Sequence, residues 1–190
     1  MAGMRILAIS GSLRANSSNT AVLMAAARLA PGGTEIILYD GLAGLPHFNP
    51  DLDTEDPPAP VRVLRRDIGQ SHGLVISSPE YARGVPGALK NALDWLVSSL
   101  EFPEKPVALV NASQRSTHVD VQLRVTLTTM SARLVEAASI ALPLLGRSLD
   151  ADGIVADAEL AAQLRAALDR FAEAIRGSAD AKSKEERSGR

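Results

Sequence analysis

Chemistry in this chain concentrates first in Ser10-Gly11-Ser12-Leu13-Arg14-Ala15-Asn16-Ser17-Ser18-Asn19-Thr20. Hydroxyls, amides, one glycine and one arginine crowd this stretch, and no acidic residue dilutes them. Such groups donate hydrogen bonds, and at a helix N-terminus they make a socket for a phosphate. The spacing does not fit two familiar phosphate loops. A P-loop requires G-x-x-x-x-G-K-[ST], and no lysine or second glycine follows Gly11. A dinucleotide loop requires G-x-G-x-x-G, so Asp40, which could imitate its ribose-binding acid, lacks the glycines that admit a pyrophosphate. A hydroxyl-lined turn suits a terminal monophosphate, of the kind that ends FMN. Ser17, Ser18 and Asn19 also read as helix caps, which leaves Ser10, Ser12 and Arg14 unexplained by capping alone.

A second stretch, residues 77–95, reads Ser77-Ser78-Pro79-Glu80-Tyr81-Ala82-Arg83-Gly84-Val85-Pro86-Gly87-Ala88-Leu89-Lys90-Asn91-Ala92-Leu93-Asp94-Trp95. Pro79 stiffens the exit from a strand. Glu80 and Tyr81 then fall on a loop, where side chains can face a ligand. Tyr81 can offer a flat surface to an aromatic ring, and Gly84 allows a tight turn close to one. Trp95 sits at helical spacing with Leu89 and reads as core.

The elements that must position these groups alternate. Strands are expected at Met4–Ser10, 34–39, Gly73–Ser77 and Pro106–Asn111, with a fifth inside 133–142. Helices are expected at 19–29, 61–70, 86–100, 119–130 and 157–176. The run 41–60 is a long loop rich in proline, glycine and aspartate. Residues 177–190 are small, charged and aperiodic and read as a disordered tail beyond a single domain, 1–176. Strand–helix alternation predicts an α/β fold, a doubly wound five-stranded parallel sheet with helices on both faces. Ligands on such sheets bind beyond the carboxyl ends of the strands. The loops 10–18, 78–85 and 112–118 all fall there.

Composition removes other classes. The chain has 190 residues, 46% of them hydrophobic, and a net charge of −2. No basic field draws nucleic acid. With no cysteine, disulfides, thiolate metal sites and thiol catalysis are excluded, and His47, His72 and His118 lack metal-ligand spacing. No run approaches the roughly 18 apolar residues of a membrane span. No secretion signal is apparent, so a cytoplasmic protein is expected.

Together, Gly11-Ser12-Leu13-Arg14 with Ser18-Asn19, and Pro79-Glu80-Tyr81 with Pro86-Gly87-Ala88-Leu89-Lys90-Asn91-Ala92-Leu93-Asp94-Trp95, resemble the NADPH-dependent FMN reductase family. Leu45-Pro46-His47-Phe48-Asn49-Pro50-Asp51-Leu52 resembles its loop after the second strand. The resemblance implies a flavodoxin-like fold, bound FMN, and NADPH or NADH as co-substrate. It implies that Ser10, Ser12, Arg14, Ser18, Asn19 and Thr20 surround the FMN phosphate. Pro79, Glu80 and Tyr81 would line the isoalloxazine ring, Ala82, Arg83 and Gly84 would continue that wall, and Ser113 would meet the ring's other end. No side chain then does acid–base chemistry. Hydride passes through the flavin to a small-molecule acceptor such as a flavin, a quinone, an azo dye or a metal ion. Arg14 and Arg83 are candidates for the phosphates of the co-substrate. The resemblance further implies a homodimer or homotetramer, with residues 93–100 as the candidate contact, unless they are core.

Two departures bear on this. Ala82 stands where the family has asparagine, and Ala112-Ser113-Gln114-Arg115-Ser116-Thr117-His118 replaces a glycine-rich segment. Arg115 there either stabilises a reduced, anionic flavin or points to solvent, and the added bulk could narrow the nicotinamide pocket. Two other readings compete. One is an electron carrier, against which the low aromatic content of 3% and near-neutral charge argue. The other is a flavodoxin-like scaffold with weak or lost FMN binding that serves as a binding or regulatory protein.

Overall fold

A computed structural model describes residues 3–188, with side chains described through residue 178. Its sheet is parallel throughout. The strands β1 (Met4–Ser10), β2 (Thr34–Leu38), β3 (Gly73–Ser77), β4 (Pro106–Asn111) and β5 (Arg133–Leu134) stand in the order β2-β1-β3-β4-β5. The helices are α1 (Ser18–Arg28), α2 (Ala59–Gly69), α3 (Gly87–Asp94), α4 (Thr117–Thr129), α5 (Ala151–Ala156) and α6 (Ala158–Ser188). Neighbours β1, β3 and β4 are consecutive in space, so the loops that leave their carboxyl ends share one edge.

Strand alternation sorts side chains onto two faces. Ile6, Ala8, Val75, Ala108 and Val110 join one core cluster under α1, α5 and α6. Leu7, Ile9, Leu74, Ile76, Val107 and Leu109 join the other, under α2, α3 and α4. Helical spacing completes each. Leu160, Leu164, Leu168, Phe171 and Ile175 form the buried stripe of α6, and Val119, Leu123 and Leu127 that of α4. Gly73 lets α6 approach closely, since a Cβ there would stand 2.8 Å from Ile175 and 2.9 Å from Phe171.

Several expectations differ from the observed structure. The fifth strand is broken: a 3-10 turn at Glu136–Ala138 separates β5 from a sixth short strand, β6 (Ile140–Ala141), and both pair with β4. The loop 41–60 carries two short 3-10 turns, Gly41–Gly44 and Pro50–Leu52. The third helix stops at Asp94, short of the expected residue 100. α6 continues to Ser188 through most of the run read as a disordered tail; alanine, lysine, glutamate and arginine are good helix formers and need no apolar stripe to extend one. The last two residues of that run lie outside the described residues. Of the candidate contact at 93–100, Leu93 and Leu96 are buried in the chain's own core, while Val97 and Leu100 are exposed.

Trp95 is core, as expected from the sequence. It is fully buried, its indole N–H donates to the Pro46 carbonyl at 2.8 Å, and its ring meets Phe48 edge-on at 5.1 Å. Asn91 donates to Pro46 as well and accepts from the Phe48 N–H. Thus α3 ties down the loop that follows β2. Arg65 seals the same corner by binding the Trp95 carbonyl and pairing with Asp53 at 2.8 Å. Burial pushes the Asp53 carboxyl upward, but bonds from Ser98 and Arg65 outweigh it and hold Asp53 below the usual carboxylate range.

Candidate functional site

The first loop is built by local bonds. Ser10 Oγ lies 2.8 Å from Thr20 Oγ1, so the end of β1 is tied across the loop to the first turn of α1. Ser10 Oγ also accepts from the Ser12 N–H, and Ser12 Oγ accepts from the Arg14 N–H, each at 3.3 Å. Ser17 is the N-cap of α1 and accepts from the Thr20 N–H at 3.4 Å. The first turn of α1 holds no acidic residue, so its positive end is uncompensated. Arg14 is exposed, and its guanidinium has no partner among the described residues. Ser18 is exposed beside it. Asn19 is different: it is buried, and its Oδ1 accepts from Ser77 Oγ at 2.9 Å, which fastens α1 to β3. Gly11 sits where a Cβ would stand 2.7 Å from Ser78 Oγ and 3.0 Å from Leu89 Cδ2, so the loop lies tight on its neighbour. Arg14, Ser18 and Thr20 line a cavity of about 590 Å³ together with residues 148–152, which include Asp150 and Asp152.

The loop after β3 is a two-residue hairpin. Tyr81 and Gly84 exchange both backbone hydrogen bonds, at 3.1 and 2.9 Å. Ala82 and Arg83 between them take left-handed backbone, at φ 49° and 59°. Turns of this kind favour asparagine and glycine, because a Cβ in left-handed backbone costs about 1–2 kcal/mol per residue. The sequence placed the tight turn at Gly84, yet the unusual backbone falls on the two residues before it. Gly84 instead leaves room for Gln122, whose Oε1 would stand 3.2 Å from a Cβ there. Tyr81 and Arg83 are exposed, and the Arg83 guanidinium has no partner among the described residues.

Glu80 turns away from this hairpin. Its carboxylate accepts from the N–H groups of His118 and Val119, at 2.9 and 3.2 Å, and lies 3.2 Å from His118 Nδ1. It therefore caps the N-terminus of α4, where Ser116 supplies no side-chain cap. Desolvation alone would raise the Glu80 carboxyl. The bonds from Val119 and His118 and the nearby imidazole outweigh that and hold it below the usual range.

The third loop, 112–118, folds on itself: Ser113 Oγ accepts from the Arg115 N–H at 3.1 Å. Arg115 is exposed without a partner among the described residues. Ser113 and Gln114 line a second cavity, of about 340 Å³, between α4 and β6. Asn111 lines it too, buried and donating to Asp120, with its Oδ1 unpartnered. No residue of 79–84 lines either of these two cavities, and Tyr81, Ala82 and Arg83 are exposed.

All thirteen residues singled out from the sequence thus lie at the carboxyl ends of three adjacent strands or in the first turn of α1. Ser10, Ser12, Arg14, Ser18 and Thr20 gather at one end, Pro79, Tyr81, Ala82, Arg83 and Gly84 in the middle, and Ser113 at the other end. The side chains of Asn19 and Glu80 are spent on structure, holding α1 to β3 and the β3 loop to α4. Sequence reasoning gave Gln122, in a Gln122-Leu123-Arg124 run that resembles the family, and Ser77, at the head of the second stretch, no role in the site. Those roles carry no local signal, since their partners are 37–39 and 58 residues away.

A family model described as NADPH-dependent FMN reductase matches residues 4–144. An NAD(P)H-dependent FMN reductase of Pseudomonas aeruginosa is 33% identical over 181 residues, 91% of this chain and 97% of the relative. A quinone reductase of Escherichia coli is 37% identical over 106 residues, 55% of each chain. The solved flavoenzyme NAD(P)H:(acceptor) oxidoreductase FerB of Paracoccus denitrificans superposes with a TM-score of 0.81 at 28% identity, over 92% of this chain and 98% of that one. The strand order, the hydroxyl-rich loop before α1 and these likenesses agree, and the chain belongs to the NADPH-dependent FMN reductase family of oxidoreductases.

Proposed function

We propose that the chain is an FMN-dependent oxidoreductase that takes hydride from NADPH or NADH and passes it to a small acceptor: a flavin, a quinone, an azo compound or an oxidised metal ion. The observation that carries this reading is the loop 10–20, where an unpaired Arg14, a net of hydroxyls and the uncompensated N-terminus of α1 converge. This donor set fits a phosphate monoester. The loop itself carries no carboxylate, and Arg14 makes no ion pair among the described residues.

Ser10, Ser12, Arg14, Ser18 and Thr20 would hold the FMN phosphate, with Asn19 fixing the helix that presents them. Pro79, Tyr81, Ala82, Arg83 and Gly84 would form the wall beside the ring, and Ser113 would meet its far end. When bound, FMN supplies the two-electron chemistry, accepting hydride from the nicotinamide and releasing it to the acceptor. The protein's part is orientation. Exposed Tyr81 offers an apolar face. Arg83, unpaired, can attract the phosphates of NADPH or NADH. Glu80 is held ionised by α4, so it does not serve as a proton donor near neutral pH.

Pairing into a homodimer or homotetramer belongs to the same proposal. Val97, Leu100, Val121 and Val125 are exposed apolar side chains available for it. A cytoplasmic site of action and the absence of a nucleic-acid or membrane partner also belong to it. Among the described residues no helix is long and apolar enough to cross a membrane.

The test is to titrate flavin-stripped protein with FMN and then add NADPH, and separately NADH, without oxygen. Tight binding with prompt loss of flavin absorbance is expected. Binding without bleaching would point to an electron carrier, and no binding would overturn the reading.

A further inference from the structure

We propose that Gln122 is a positioning residue for this site: from α4, it clamps the strained turn that would stand beside the flavin. This rests on the function proposed above. The Gln122 Nε2 donates to the Arg83 carbonyl at 3.1 Å, and its Oε1 accepts from the Val85 N–H at 3.2 Å. One amide therefore brackets the turn from both sides.

The turn needs such a bracket. Ala82 and Arg83 both hold left-handed backbone, and neither is a residue that accepts it readily. Apart from the Tyr81–Gly84 exchange, no other backbone hydrogen bond closes it. On the other side, Glu80 locks the start of the loop to the first N–H groups of α4. The helix itself is anchored by buried Val119, Leu123 and Leu127. Loop and helix consequently form one body, tied through Glu80 and through Gln122. The bond to Arg83 fixes the direction of the 83–84 peptide, and hence what the turn presents to a ring. Gln122 touches neither flavin nor nicotinamide in this proposal and acts through the turn.

The experiment compares Gln122→Ala with the parent by hydrogen exchange on protein without added FMN, and by hydride transfer from NADPH at saturating FMN. Alanine favours helix, so α4 is retained. Loss of one net hydrogen bond predicts roughly tenfold faster exchange at the Val85 N–H. The rate constant of flavin reduction is expected to fall several-fold, while binding of the FMN phosphate is held by Arg14 and its neighbours. Adding Ala82→Asn to Gln122→Ala should restore much of the flavin-reduction rate, because asparagine tolerates left-handed backbone, whereas the Val85 N–H stays without its acceptor and keeps its fast exchange. Unchanged exchange at Val85 would overturn the clamp. Faster exchange with unchanged flavin reduction would overturn the positioning role. Should the parent bind no FMN, the proposed function and the positioning role fall together, while exchange at Val85 still decides whether the clamp exists.

Discussion

The two loops that flank the carboxyl end of β3 are built in opposite ways. The loop before α1 is held by neighbours: Ser10 with Thr20, Ser12 with Arg14, Ser17 with Thr20. The loop after β3 is held by α4, through Glu80 and Gln122, across 37–39 residues of sequence. The first relaxes into ordinary caps and turns. The second carries two residues in left-handed backbone. A pocket for a charged group profits from local rigidity, because its donors must all point at one anion. In the proposed function the second loop would stand beside a flat ring, and its ties to α4 would set where it stands.

Breaking the first loop should have the largest effect. Arg14→Ala removes the unpaired cation while touching no internal partner. A hydrogen bond to a charged group contributes about 1.5–3 kcal/mol, so FMN affinity should fall roughly ten- to a hundredfold in a fluorescence titration, with little change in melting temperature. An unchanged affinity would remove the phosphate from this loop. Asn19→Ala tests the same loop from beneath. It leaves the buried Ser77 hydroxyl without its acceptor, a loss of about 1–3 kcal/mol that should lower the melting temperature by several degrees. Stability is expected to suffer in this variant more than it does in Arg14→Ala.

The same contrast explains what the sequence made legible. Strands β3 and β4 are apolar runs, and β1 holds the apolar run 6–9, so their limits could be read directly. The proposed phosphate loop was readable because its donors are contiguous. The hairpin was not. Ala82-Arg83 lacks the asparagine–glycine signal of its turn, so the glycine two residues on took the attention. The cap of α4 was also invisible, because Glu80 arrives from another loop. Likewise the break between β5 and β6 has no glycine or proline to announce it. Val135 and Ala138 are both buried, and the intervening turn keeps them so.

Relieving the second loop should give a smaller change of opposite sign. Ala82→Gly removes a left-handed Cβ penalty of about 1–2 kcal/mol against an unfolded-state entropy cost of about 0.5–1 kcal/mol. A net gain below about 1 kcal/mol, or roughly 2 °C in melting temperature, is expected for a chain of this size. A drop in melting temperature would mean that the Ala82 methyl is packed to advantage, and the strain argument would fail.

The smallest effect concerns pH and separates the loops most cleanly. Glu80 is held below its ordinary value of 4.5 in the folded protein. The unfolded chain therefore takes up its proton first as pH falls, and the contribution of Glu80 to stability is fully present above about pH 4.5. It is lost as pH falls through the lower, folded value, when the carboxyl can no longer accept from both N–H groups of α4 on equal terms. Exchange at the His118 and Val119 amides should then accelerate below pH 4.5 beyond the normal dependence of exchange chemistry on pH. Amides of the loop 10–20, which no carboxylate holds, should show only that normal dependence. Glu80→Gln should abolish the difference between the two loops, because its amide oxygen does not titrate in this range. If the two sets of amides followed the same pH profile in the parent, the Glu80 cap would not hold the second loop.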